Sequence, residues 1–239
     1  MIVTEQIDYS DGETVCRGFI AYDDNALKKL PAVMVAHDWG GRSDTFCNKA
    51  IQLASMGYVG FAIDMYGQAQ IGHDKTQRRA LLTPLMQDRK KIGARITAAF
   101  NQLTELPQVN QGKIAAIGYC FGGLCVLDLA RSGADVKGVV SFHGLLSAPE
   151  GASETPLKSK MLILHGYDDP LVKPDQVEHF AHEMNKRKVD WQVHMYGLVQ
   201  HSFTNPEAND DEMGLHYNER ADRRSWQSTE SFLREVLAQ

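Results

Sequence analysis

The chain has little that would send it to a membrane, a nucleic acid or a metal ion. Its uncharged apolar run, Ile114 to Leu127, is too short and too rich in glycine to cross a bilayer. The amino terminus, Met1-Ile2-Val3-Thr4-Glu5-Gln6, has no basic segment leading into an apolar core, so no signal peptide is expected. Basic clusters are scarce. Arg89-Lys90-Lys91 and Lys186-Arg187-Lys188 are short and read as solvated helix faces, and a net charge of −5 disfavours polyanionic partners. Neither nucleic acid nor membrane is expected among the partners. The four cysteines, Cys16, Cys47, Cys120 and Cys125, lack a C-x-x-C spacing, and the histidines form neither H-x-H nor H-E-x-x-H. Those gaps remove the zinc knuckle, the thioredoxin-type pair and the zincin helix. Without a targeting segment, the thiols are expected to be reduced and the protein cytoplasmic.

What is present is an alternation. Val3–Tyr9 and Thr14–Ala21 read as strands joined through the turn Ser10-Asp11-Gly12-Glu13. Ala32–Ala36, Tyr58–Ile63, Ile114–Ile117, Val136–Phe142, Lys160–Leu164 and Trp191–Tyr196 are short apolar runs with strand character. Helical periodicity falls between them, over Thr45–Met56, Lys75–Leu82, Leu85–Leu106, Leu124–Ala130, Pro174–Lys188 and Leu215–Leu237. Pro84 predicts a break between the second and third of these helices. Met65–Asp74 and Leu145–Ser159 read as loops, the first of them exposed. The order implies βαβ units around a mostly parallel sheet with helices on both faces, an α/β class. Ordinary apolar content and the absence of repeats or a Pro/Gly/Ser-rich linker point to one domain over residues 1–239.

The most informative segment is Gly118-Tyr119-Cys120-Phe121-Gly122-Gly123. It joins a β-branched run to an apolar helix, which is the strand–turn–helix setting of a nucleophile elbow with cysteine in place of serine. Gly118 and Gly122 give the turn room. Cys120 would stand at a strand's carboxyl end and a helix's positive end, where a thiolate is stabilised.

In open parallel sheets, sites lie beyond the carboxyl ends of the strands. The polar residues there are His37-Asp38, Asp64, Cys120, His143, His165 followed by Asp168-Asp169, and His201. Cys120, Asp169 and His201 appear in the chain order of an α/β-hydrolase triad with a thiol substituted. His201 would take the thiol proton, and a carboxylate would fix its tautomer. Asp168 competes for the acidic role; Pro170 and the offset from Gly166 favour Asp169. The loop His37-Asp38-Trp39-Gly40-Gly41 would place the Trp39 N–H, with that of Phe121, as an oxyanion hole. Asp64 reads as a strand-end cap, and His37, His143 and His165 as residues that underpin the pocket.

Together with Asp64-Met65-Tyr66, Gly166-Tyr167-Asp168-Asp169-Pro170-Leu171-Val172 and His201-Ser202-Phe203, the elbow resembles the dienelactone hydrolase family over most of the chain. The resemblance implies an α/β-hydrolase fold, a Cys120-Asp169-His201 triad, no metal or organic cofactor, and hydrolysis of small lactones or activated esters. It also implies that Asp38 contacts the resting thiol and that Gln77-Arg78-Arg79 supplies an arginine, Arg78 by the closer match, that holds a substrate carboxylate. The second family arginine has no counterpart in His201-Ser202-Phe203-Thr204-Asn205, which points away from dienelactone itself. Two alternatives share the scaffold: hydrolysis of other activated electrophiles such as phosphotriesters, and a non-hydrolytic reactive-thiol protein that uses Cys120 for redox sensing. The expected partner is a small-molecule ester or lactone, the protein being a monomer or homodimer.

Overall fold

Eight strands hydrogen-bond into one sheet in the computed structural model, which describes residues 1–238. They are β1 (Ile2–Asp11), β2 (Thr14–Asp23), β3 (Leu30–Ala36), β4 (Val59–Ile63), β5 (Val109–Tyr119), β6 (Gly138–Phe142), β7 (Lys160–Gly166) and β8 (Trp191–Tyr196). Their spatial order is β1-β2-β4-β3-β5-β6-β7-β8. From β4 to β8 every pairing is parallel; β1 and β2 form an antiparallel hairpin, and β2 runs antiparallel to β4.

Six helices cover the sheet: α1 (Asp44–Ser55), α2 (Lys75–Met86), α3 (Arg89–Glu105), α4 (Phe121–Arg131), α5 (Pro174–Lys186) and α6 (Glu219–Ala238). Because strand side chains alternate faces, each central strand feeds two cores. Ala32, Met34 and Ala36 of β3 join Ile114 and Ala116 of β5 under α3 and α4. Val33, Val35, Ala115 and Ile117 turn the other way, towards Phe46, Ala50 and Leu53 of α1 and Phe232, Leu233 and Val236 of α6. Burial on both faces explains why these strands read as continuous apolar runs. Among the described residues, no helix is long and apolar enough to cross a membrane.

Three departures from the sequence-based boundaries have a local physical reason. Pro84 does not end its helix: α2 runs through it to Met86. Pro84 costs the helix the bond to the Ala80 carbonyl, a loss that α2 tolerates. The interruption comes instead at Asp88, whose carboxylate caps α3 by accepting from the Lys90 N–H at 3.2 Å. Leu215 is not helical. Leu215–His216 (β10) pairs with Asn209–Asp210 (β9), His216 N–H is committed to the His201 carbonyl at 3.0 Å, and Asn218 caps α6 by accepting from Ala221 N–H at 3.0 Å. Finally, Met65–Asp74 is only partly exposed, with Met65 and Tyr66 buried. Asp64 draws it inward by accepting from the N–H groups of Tyr66, Gly67 and Ala69 at 2.9, 2.9 and 2.7 Å, and from Arg17 N–H at 2.9 Å.

A buried ionic cluster ties the helices on one face. Arg131 of α4 binds Glu183 of α5 at 2.7 Å and the carbonyls of Leu146 and Ser147 at 2.8 and 3.2 Å, while Asp128 takes Arg89 of α3 at 2.8 Å. This anchors the start of the irregular stretch after β6.

Candidate active site

At the end of β5 the chain turns so sharply that Cys120 adopts φ +51° and ψ −113° before α4 begins. A side chain on either neighbouring glycine is excluded: a Cβ on Gly118 would lie 2.1 Å from the Gly122 carbonyl oxygen, and one on Gly122 would lie 2.2 Å from that of Ala36. Cys120 N–H donates to the Phe142 carbonyl of β6 at 2.9 Å, so the strained turn is fixed from the neighbouring strand. The sulfur consequently stands at the amino end of α4, in the positive field of the helix.

Three loops converge on it. The Cys120 Sγ is 3.0 Å from His201 Nε2, and His201 Nδ1 is 2.7 Å from Asp169 Oδ2. Asp169, in the β7–α5 loop, is itself held by the N–H groups of Leu171 and Val172, which donate to Oδ1 at 2.8 and 3.2 Å. Asp168 is exposed and points elsewhere; its N–H bonds the Val199 carbonyl. Burial opposes charge on the His201 ring, but the Cys120 sulfur on one side and the Asp169 carboxylate on the other outweigh it and push its pKa up to about 10. The arrangement favours an imidazolium between two acceptors.

Cys120 and His201 face a cavity of about 210 Å³. Leu82 and Met86 of α2, Leu145, Leu171, Met213 and Leu215 make its wall apolar, and Arg79 is its one guanidinium. Trp39 and Phe121 line the same cavity, and their backbone N–H groups donate to no acceptor among the described residues. The Tyr66 hydroxyl fixes the first loop by donating to the Trp39 carbonyl at 2.9 Å.

Two of the expected residues are placed differently. Asp38 turns back on its own loop, its Oδ1 accepting from Gly40 N–H at 2.7 Å; among the described residues its carboxyl makes no hydrogen bond to Cys120. Burial raises its pKa. Arg78 lies outside the Cys120 cavity. Its Nε donates to the Gly72 carbonyl at 2.9 Å, and its guanidinium stacks 5.5 Å from the Trp39 ring centroid. The next residue, Arg79, reaches the cavity because one step along a helix rotates a side chain by about 100°. Arg79, Leu82 and Met86 are spaced i, i+3, i+7, so helical phase was the signal for this face. His37 serves the scaffold, its Nε2 accepting from Met65 N–H at 3.1 Å. His143 and His165 are buried at strand ends, and burial lowers both pKa values. Among the described residues, no group of three or more His, Cys, Asp or Glu side chains could hold a metal ion.

Residues 16–237 match the model of the dienelactone hydrolase family. The chain belongs to that family. Protein usf of Aquifex pyrophilus is 27% identical over 238 residues, 98% of this chain and 99% of that protein. The crystal structure of the dienelactone hydrolase-like promiscuous phosphotriesterase P91 from metagenomic libraries superposes with a TM-score of 0.93 at 36% identity, covering 98% of each chain. The dienelactone hydrolase of Anabaena variabilis, at 18% identity and a TM-score of 0.68 over 99% of each chain, shares the fold. That fold is the α/β-hydrolase fold, and membership of the family makes this dienelactone hydrolase relative a hydrolase of ester or lactone bonds.

Proposed function

We propose that the protein hydrolyses small, largely apolar carboxylic esters or lactones through an acyl-enzyme on Cys120. The observation that carries the reading is the continuous chain of contacts from Cys120 Sγ to His201 at 3.0 Å and from His201 to Asp169 at 2.7 Å. The thiolate attacks the carbonyl carbon, and the carbonyl oxygen gathers charge against the N–H groups of Trp39 and Phe121. One such donor contributes roughly 3–4 kcal/mol to the transition state. As the tetrahedral adduct collapses, His201 gives its proton to the departing alkoxide, and the acyl group stays on sulfur. His201, now neutral, takes a proton from water; the hydroxide attacks the thioester, and the acid leaves with the thiolate restored. Asp169 holds the ring in the tautomer that keeps Nε2 towards sulfur.

The apolar wall and the single arginine, Arg79, favour an uncharged acyl group or one with a single anionic tip. A second reading has one specific support: P91, 36% identical, is described as a promiscuous phosphotriesterase. A thiolate beside two free N–H donors can attack tetrahedral phosphorus as well as planar carbon, so phosphotriesters are a secondary substrate class. Kinetics of Cys120→Ala on aryl butyrates, δ-lactones and an aryl dialkyl phosphate test both. Loss of all turnover in a folded variant is expected; retained carboxylic ester turnover would end the proposal.

A further inference from the structure

The sheet has two free edges, and they are built differently. β1 closes one end and carries Glu5, Asp8 and Asp11, so two copies set against each other there would crowd carboxylates together. β8 closes the other with Trp191-Gln192-Val193-His194-Met195-Tyr196, which holds no Lys, Arg, Asp, Glu or proline. Its register with β7 runs from Met161↔Trp191 to Gly166↔Tyr196 without a bulge. Charges, prolines and bulges are the means by which exposed edges resist pairing, and β8 has none of them.

The backbone groups left free on β8 can be named. The Asp190 and Tyr196 carbonyls accept from the N–H groups of Met161 and Tyr167, each at 2.9 Å, so Gln192 and His194 between them turn their backbone groups to β7. Residues alternate along a parallel ladder, and the N–H and C=O groups of Trp191, Val193 and Met195 therefore point outward from β7. The side chains of the same three residues are apolar and share one face, with Met195 40% exposed. An antiparallel strand centred on Val193 would set Val193 against Val193 and Trp191 against Met195. Every free group of the three then bonds, and each apolar side chain meets another. β8 is thus complementary to itself.

The charges beside the strand agree. α6 runs antiparallel to β8 along an open groove. Glu235 binds Lys160 at 2.6 Å, and Lys160 also holds Asp190 at 3.3 Å, which puts both carboxylates at the start of the strand. The Ser228 hydroxyl meets His194 Nδ1 at 3.1 Å near the middle, and Arg224 lies beside Tyr196 at the far end. A twofold axis through Val193 reverses one copy and brings Arg224 of each towards Asp190 and Glu235 of the other. We propose that the protein forms a twofold dimer in which two β8 strands pair antiparallel about Val193, so that one sheet continues into the next. β8 and the α6 face beside it supply about a dozen residues per copy, against roughly 20–30 per side in a standard interface, so dissociation is expected in the micromolar range. None of these residues lines the cavity at Cys120, so the dimer and the ester chemistry are tested separately.

Sedimentation velocity over a dilution series from about 200 to about 1 μM reads the association. The parent is expected to pass from dimer to monomer across the series. Met195→Lys sets an ammonium group against Trp191 of the other copy and is expected to leave monomer throughout, with turnover of an aryl butyrate unchanged. Arg224→Glu places like charges together and should weaken association about tenfold, and adding Glu235→Arg should recover most of it. That recovery decides the matter even if Met195→Lys fails to fold. A parent that stays monomeric at every concentration overturns the proposal and leaves the edge to an extended segment of a different protein. A dimer that neither Met195→Lys nor Arg224→Glu weakens overturns it as well, because the two copies then meet elsewhere.

Discussion

Asp169→Asn is the perturbation whose size can be worked from the geometry. Its two carboxylate oxygens do separate jobs: Oδ2 faces His201 Nδ1 at 2.7 Å, and Oδ1 receives the N–H groups of Leu171 and Val172. An asparagine can serve one side only. With its oxygen kept on the two N–H donors, its NH₂ faces Nδ1 and forces the tautomer that puts a proton on Nε2, where a free lone pair is needed to take one from the thiol. With the amide flipped, its NH₂ confronts two donors. In serine hydrolases the corresponding change costs about 10⁴-fold. A thiol ionises far more readily than a hydroxyl, so here kcat/KM should fall by roughly 10²–10³, about 3–4 kcal/mol. Initial rates on an aryl butyrate measure it. A second readout is stability against pH. Because His201 is raised from its ordinary value near 6.5 to about 10, its pairing stabilises the fold fully below pH 6.5 and is lost as pH rises through 10. Melting temperatures of the parent should decline across that window, and those of Asp169→Asn should decline less. A variant within tenfold of parental activity and with the same pH–stability curve would refute the relay.

Gly122→Ala places a Cβ 2.2 and 2.5 Å from the carbonyl oxygens of Ala36 and His37, backbone that cannot swing aside. Destabilisation of at least about 3 kcal/mol is expected, read by urea unfolding. Arg131→Met removes the closest partner of Glu183 and the donor to the Leu146 carbonyl in a buried setting, so melting should fall on the order of 10 °C by calorimetry. Arg79→Ala should leave turnover of a neutral aryl ester within about threefold while abolishing any preference for a singly anionic acyl chain, measured as a ratio of kcat/KM values. The same ratio unchanged would remove Arg79 from substrate recognition.

The sheet was legible because its central parallel strands, buried on both faces, appear as uninterrupted apolar runs. The turn at Cys120 was legible because close backbone contacts at Gly118 and Gly122 admit no side chain. Residues stacked at strand ends could be listed as one surface before any coordinate was known, which is why Cys120, Asp169 and His201 stood out together. Side-chain direction was not legible. The roles of Asp38 and Arg78 come from the family resemblance, and each side chain is instead held by a local backbone bond, to Gly40 and Gly72. Pro84 misled because a proline can weaken a helix without ending it. The Arg131–Glu183 pair joins residues far apart in sequence whose local patterns say nothing of each other. A polar cavity lined by Asp38, Lys49, Arg78, Tyr119, His143 and Glu207 arises where five segments converge, a property that no single segment displays.

The central claim is that sulfur 120 becomes covalently acylated. Rapid acid quench of the enzyme with excess aryl butyrate, followed by intact mass and peptide mapping, tests it directly. A single butyryl mass increment is expected on the peptide bearing Cys120, its occupancy rising when His201→Gln slows deacylation more than acylation. Turnover with an unmodified Cys120, or an adduct mapping to another residue, would contradict it.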